Sequence, residues 1–115
     1  MTLTELKNRA LKRLRVLAAG ETAPAYVDDI VAESYTSVYA ELQEEGLVSW
    51  TSTGDIPNKI ALHVGTLVVY ESADEFSVPE PRMARLEVKA AKAMKQIRRL
   101  MATDYIPSHS EAVFY

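Results

Sequence analysis

Few side chains in this sequence have the types and spacing that catalysis requires. The two histidines, His63 and His109, each lack a second histidine or an acid pair one helical turn away, so we expect no metal site. Adjacent acids occur at Asp28–Asp29, Glu44–Glu45 and Asp74–Glu75. Neighbours on a helix point to different sides, so these pairs should not share a proton. The sequence also lacks cysteine, a nucleophile motif and a phosphate-binding loop, and we therefore expect neither an enzyme nor a cofactor.

Basic side chains form a stripe along the last predicted helix. They recur at helical spacing beside the apolar positions, at Arg85, Lys89, Lys92 and Arg99. The first predicted helix adds three more, Lys12, Arg13 and Arg15. Two interpretations stay open: the stripe faces phosphates, or it pairs with acidic residues of the same or a neighbouring copy.

Charge is strongly separated along the chain, whose formal net charge is -3. Residues 1–20 hold five basic residues and one acid, a net of +4. Residues 21–80 hold one basic residue and twelve acids, a net of -11, and residues 81–115 hold seven basic residues and three acids, a net of +4. This separation predicts complementary faces within the fold or between copies, and the pI near 5.4 argues against a free DNA-binding protein.

The apolar pattern predicts the elements that must position these residues. Apolar side chains recur every three or four residues over four segments, which is the period of a helix with one buried face. The helices are expected at residues 3–18, 24–45, 56–74 and 83–104. The predicted fold class is therefore an all-α four-helix bundle, with one irregular loop or short hairpin at about residues 48–55.

Local signals mark the predicted helix ends. Thr2 with Glu5 three residues later has the pattern of a capping box. Gly46 followed by Leu47 is typical of a Schellman motif, in which the residue after the glycine packs back on its helix. The stretch "SVPEP" has two prolines in three residues and is expected to be a linker.

The final segment "HSEAVFY" is unusually apolar for the end of a soluble bundle. We expect residues 1–104 to form the helical domain and residues 105–115 to form an extended tail, because Pro107 disfavours helix. The tail is either held by another chain, for example by addition to a sheet edge, or folded back onto its own bundle. Its candidate binding residues are Tyr105, Ile106, Pro107, Ala112, Val113, Phe114 and Tyr115. Trp50, in the predicted loop, is a further candidate interface residue.

With these residues in place, the chain resembles a phage family. The stretch "ALKRLRVLAAGETAPAYVDDIVAESYTSVYAELQEEGLVSW", residues 10–50, is similar to the start of the head-to-tail connector proteins of tailed phages, and above all to the adaptors or tail accessory factors of short-tailed phages. The shared features are a first helix, a small polar loop, a long second helix and a glycine-containing break before a tryptophan. The stretch "PRMARLEVKAAKAMKQIRRLM", residues 81–101, resembles the last helix of that fold.

The resemblance implies a structural virion protein at the head–tail junction, present in the host cytoplasm during assembly. Such proteins form a ring, typically a dodecamer, under the portal protein. The ring extends the channel for double-stranded DNA, helps retain the genome and offers a platform for tail or nozzle proteins. No membrane is implied. The tail would contact the portal or a neighbouring subunit, and the basic residues would face a neighbour or the channel. The alternative is a small helical DNA-binding or regulatory protein that uses the first and last helices.

Overall fold

A computed structural model describes residues 1–14, 25–76 and 78–113, with side chains through Met101. Its helices are α1 (Leu3–Arg13), α2 (Ala25–Glu44), α3 (Asn58–Ser72) and α4 (Glu80–Val113), with a 3₁₀ turn at Ala73–Phe76. The described ranges contain no strand, and the connection at residues 48–55 is an irregular loop rather than a hairpin. The predicted all-α four-helix architecture is confirmed.

Helix α1 begins with the predicted capping box. The backbone N–H of Glu5 donates to Thr2 Oγ1 over 3.1 Å, and the Thr2 N–H donates to Glu5 Oε1 over 3.3 Å. These bonds satisfy two donors that a helix start leaves unpaired. Accepting the bond from the Thr2 backbone N–H lowers the pKa of the Glu5 carboxyl below its usual value, and the Thr2 side chain lowers it further. The end predicted near Ala18 lies outside the described residues.

Helix α2 ends as its sequence predicts. Gly46 has a φ of 72°, a conformation that glycine adopts without the Cβ clash of other residues. Its N–H donates to the Gln43 carbonyl, and the N–H of Leu47 donates to the Leu42 carbonyl, each over 3.0 Å. This is the Schellman pair, and it turns the side chain of Leu47 back into the core beside Leu42.

Helix α3 is the central element of the bundle, since it packs against α1, α2 and α4. Its sequence explains this position, because apolar residues occur on more than one of its sides. Ile60, Val64, Val68 and Val69 are fully buried. Ser72 is also fully buried, and its hydroxyl donates to the Val68 carbonyl over 2.6 Å, so burial leaves it with a partner.

Helix α4 begins earlier than the sequence predicted, inside the expected linker. Pro79 accepts hydrogen bonds through its carbonyl from the N–H groups of Arg82 and Met83, so it stands at the helix start. Pro81 then falls in the first turn, where the missing N–H would have had no helical partner. Two prolines this close together therefore start a helix here rather than prevent one.

Helix α4 also continues further than predicted, to Val113 instead of ending by Asp104. The bounds of α4 thus include residues 105–113, which the sequence analysis assigned to the tail. Pro107 lies inside these bounds, where a proline removes one helical hydrogen bond at a cost of about 3 kcal/mol. Phe114 and Tyr115 lie outside the described residues.

Candidate functional site

A basic groove of about 570 Å³ opens between the end of α1 and the first turns of α4. Buried Val69 of α3 and Leu86 of α4 form its apolar floor. Its rim carries the five basic residues Lys12, Arg13, Arg82, Arg85 and Lys89. We call this set the basic groove.

Helix geometry brings these five residues together. Arg82, Arg85 and Lys89 are spaced three and four residues apart, so they share one face of α4. Lys12 and Arg13 lie in the last turn of α1, where cations interact favourably with the helix dipole. The groove is thus formed by one helix end lying against the side of another helix.

Hydrogen bonds hold one wall of the basic groove in place. The Arg13 guanidinium donates to Thr66 Oγ1 of α3 over 3.1 Å. The Arg82 guanidinium donates to the backbone carbonyl of Arg13, which ties α4 to the end of α1. Burial lowers the pKa of Arg13, and the nearby positive charges of Arg9 and Arg82 lower it further. The groove therefore gathers like charges at a cost that a bound anion would reduce.

Acidic residues of the described chain do not neutralise the groove. Lys12, Arg85 and Lys89 make no ion pair within the described ranges. Two pairs do join the acidic and basic segments elsewhere, Lys7 to Asp28 and Arg98 to Glu45, each over 2.9 Å. Both lie outside the groove and link α2, or the residue just after it, to α1 and α4.

A second, smaller concavity of about 230 Å³ carries the opposite charge. It lies between α2 and the end of α3, and its acidic residues are Glu33, Glu71 and Glu75. All three are exposed, and none makes an ion pair within the described ranges. Ser34 and Ser37 add hydroxyl groups to its wall. We call this set the acidic notch.

The basic groove and the acidic notch lie on opposite sides of α3. Val69 lines the groove and Glu71 lines the notch. Two residues along a helix turn its surface by about 200°, because each residue turns it by about 100°. The chain therefore presents one positive and one negative concavity in different directions.

The structure brings together some of the basic residues predicted from the sequence and separates others. Lys12, Arg13, Arg85 and Lys89 meet in the groove. Lys92 lies one turn further along and outside the groove, although it shares a shallow surface over Val88 with Arg85 and Lys89. Arg99 lies ten residues past Lys89, about 15 Å along the helix, and its guanidinium donates to Gln96 Oε1. Arg15 lies outside the described residues.

Sequence reasoning missed Arg82 and the residues of the acidic notch. Arg82 was counted among the basic residues of segment 81–115 but left out of the stripe, although its spacing of three residues from Arg85 was a usable signal. The notch joins Glu33 of α2 to Glu71 and Glu75 around the end of α3. Glu33 lies near Glu71 and Glu75 only because α2 packs against α3. No spacing along the chain indicates this proximity.

Trp50 is half-buried and tied to α2. Its indole N–H donates to the Tyr35 hydroxyl over 3.0 Å, and the Tyr39 hydroxyl donates to the Trp50 carbonyl over 2.6 Å. The rings of Tyr39 and Trp50 meet edge to face, with centroids 5.9 Å apart. Burial raises the pKa of Tyr35. Trp50 thus fastens the loop to the bundle, and its predicted role at an interface stays a prediction.

The predicted tail residues from Tyr105 to Val113 belong to the last turns of α4, and the structure describes their backbone only. Their proposed contacts with a portal or a neighbour therefore stay predictions. Within the described part of the chain, no group of three or more histidine, aspartate or glutamate side chains is placed to hold a metal ion. The described helices include none with the length and apolarity of a membrane span.

Comparison with known proteins finds no matching family model, no matching curated protein and no matching solved structure.

Proposed function

We propose that this chain is a head-to-tail adaptor of a tailed phage, which forms a ring under the portal protein. In this role it extends the DNA channel, helps retain the packaged genome and provides the platform for tail or nozzle proteins. The resemblance of residues 10–50 and 81–101 to the connector proteins supports this proposal. The four-helix architecture is the one that the resemblance implies.

The length of α4 is the observation that carries the proposal. With 34 residues it is about 51 Å long, whereas the 20 residues of α2 span about 30 Å. Met101 is buried in the core, and the helix continues for the twelve residues from 102 to 113, about 18 Å. The long axis of the molecule is 55 Å, against 30 and 22 Å across it. A helical arm of this length suits a subunit that must reach a partner beyond its own core.

Opposite charge on two sides of the subunit also supports a ring. A closed ring needs two different surfaces that recognise each other, since each subunit contacts the next in a head-to-tail manner. We assign the basic groove to subunit contact rather than to the channel. A channel through which DNA must slide should not bind phosphates tightly.

Deletion of residues 105–115 tests the proposed role of the arm. We expect the truncated chain to stay a folded helical protein by circular dichroism, because it keeps every core residue that the structure describes, through Met101. We expect it to lose binding to portal protein from the same genome, measured by co-sedimentation. Full-length chain carrying the exposed substitution Lys95→Ala is the control and should bind as before. Retained portal binding by the truncated chain would contradict the assignment of the arm.

A second candidate function, a small helical DNA-binding or regulatory protein, is favoured by one observation. The basic groove holds five cations and no acid in its lining. Filter binding to duplex DNA across salt concentrations separates the two functions. Tight binding at near-physiological salt with a steep salt slope favours this second function, because each phosphate contact adds about 0.9 to the slope.

A further inference from the structure

The basic groove and the acidic notch are two charged surfaces that the described chain leaves without partners. Arg85 and Lys89 are exposed on the first, and Glu33 and Glu71 are exposed on the second. Like charges within each surface repel one another, because no opposite charge of the described chain lies among them. A ligand of opposite charge would stabilise either surface.

The placement of the two surfaces decides which ligand fits both. They lie on opposite sides of α3, so they cannot meet within one copy. A second copy of the chain carries the complement of each. An interface that joins one surface to the other leaves a free groove at one end of the pair and a free notch at the other, so it can repeat until it closes on itself.

We propose that the basic groove of one copy binds the acidic notch of the next copy. Arg85 and Lys89 provide the cations, and Glu33, Glu71 and Glu75 provide the carboxylates. The flexible stems of these side chains let the charged heads meet across two shallow concavities. The closed ring as the product of this contact rests on the proposed function. The contact itself involves only copies of this chain.

Complementary charge reversal tests the contact. One variant carries Arg85→Glu and Lys89→Glu in the basic groove, and a second carries Glu33→Lys and Glu71→Lys in the acidic notch. A third carries all four substitutions and has the net charge of the starting chain. All four positions are exposed, and circular dichroism checks that each variant folds.

Association is measured by sedimentation velocity at about 50 mM and about 500 mM salt, because exposed ion pairs are screened at the higher ionic strength. We expect the unchanged chain to self-associate at low salt. Each two-site variant should associate at least about tenfold more weakly, since like charges then face each other. An equimolar mixture of the two variants should associate again, and so should the four-site variant.

A matched control reverses charge elsewhere on α4. Glu87→Lys and Lys95→Glu alter exposed residues that line neither surface, and they should leave association unchanged. The proposal is overturned if the unchanged chain stays monomeric at low salt or if the mixed variants do not associate. It is also overturned if the groove variant loses only binding to duplex DNA. Portal binding that survives such a result would preserve the proposed function while removing this contact.

Discussion

Trp50 attaches the irregular loop to α2. Its indole N–H and its carbonyl are both hydrogen-bonded to tyrosines of α2, at Tyr35 and Tyr39. The edge-to-face contact of the Trp50 and Tyr39 rings adds an attraction beyond the area they bury. These contacts let a loop without regular structure hold one conformation.

Replacement of Trp50 by phenylalanine keeps an aromatic ring but removes the donor to the hydroxyl of the buried Tyr35. We expect the free energy of unfolding to fall by about 1–2 kcal/mol, because a buried hydroxyl then loses its partner. Urea unfolding followed by circular dichroism measures it. Tyr26→Phe, at a side chain that is 70% exposed, is the control and should change stability by less than about 0.5 kcal/mol. If the substitution left stability unchanged but abolished assembly, the result would support the predicted interface role of Trp50 over the structural one.

The residue types around the loop were visible in the sequence, but their pairing was not. Trp50 looked like an interface residue because it lies in a loop and has no helical periodicity. Its hydroxyl partner is fifteen residues away on α2. Nothing in that spacing says that the loop folds back over the helix, so a structural role could not be separated from a binding role.

At the scale of the elements, two glycines make opposite contributions. Gly46 closes α2 with a positive φ of 72° and has no alternative at that position without strain. Gly65 lies inside α3, where a Cβ would meet no atom within 4 Å. The first glycine satisfies a backbone requirement, whereas the second weakens its helix relative to alanine.

Alanine substitutions at these two glycines should therefore differ in sign. Gly46→Ala should lower the free energy of unfolding by about 1–2 kcal/mol, because the left-handed conformation is costly for a residue with a Cβ. Gly65→Ala should raise it by up to about 1 kcal/mol. Thermal and urea unfolding measure both, and each variant serves as the control for the other. Effects of the same sign at both positions would contradict this account of the two glycines.

Helix ends show which local signals the sequence carries reliably. Thr2 with Glu5 and Gly46 with Leu47 act through neighbours in the chain, so they were predicted correctly. The prolines were misleading at both ends of α4, because the effect of a proline depends on its place in the helix. Pro81 lies in the first turn of α4, where a proline is tolerated. Pro107 lies within the same helix, after more than twenty helical residues.

At the scale of the whole molecule, charge separation along the chain becomes charge separation in space. The segment sums predicted complementary faces, and the structure places a basic groove and an acidic notch on opposite sides of α3. The sums could not say which residues meet, because the packing order of the helices decides that. The sequence also did not predict that α4 would be longer than the other helices, because that length requires the helix to continue past Pro107.

Electron microscopy of the chain mixed with portal rings from the same genome tests the central claim most directly. The proposed function predicts a second ring of density coaxial with the portal, with one copy of the chain beside each portal subunit or its symmetry equivalent. The density should be absent when residues 105–115 are deleted. Portal rings that look the same with and without the full-length chain would contradict the claim that it is a head-to-tail adaptor.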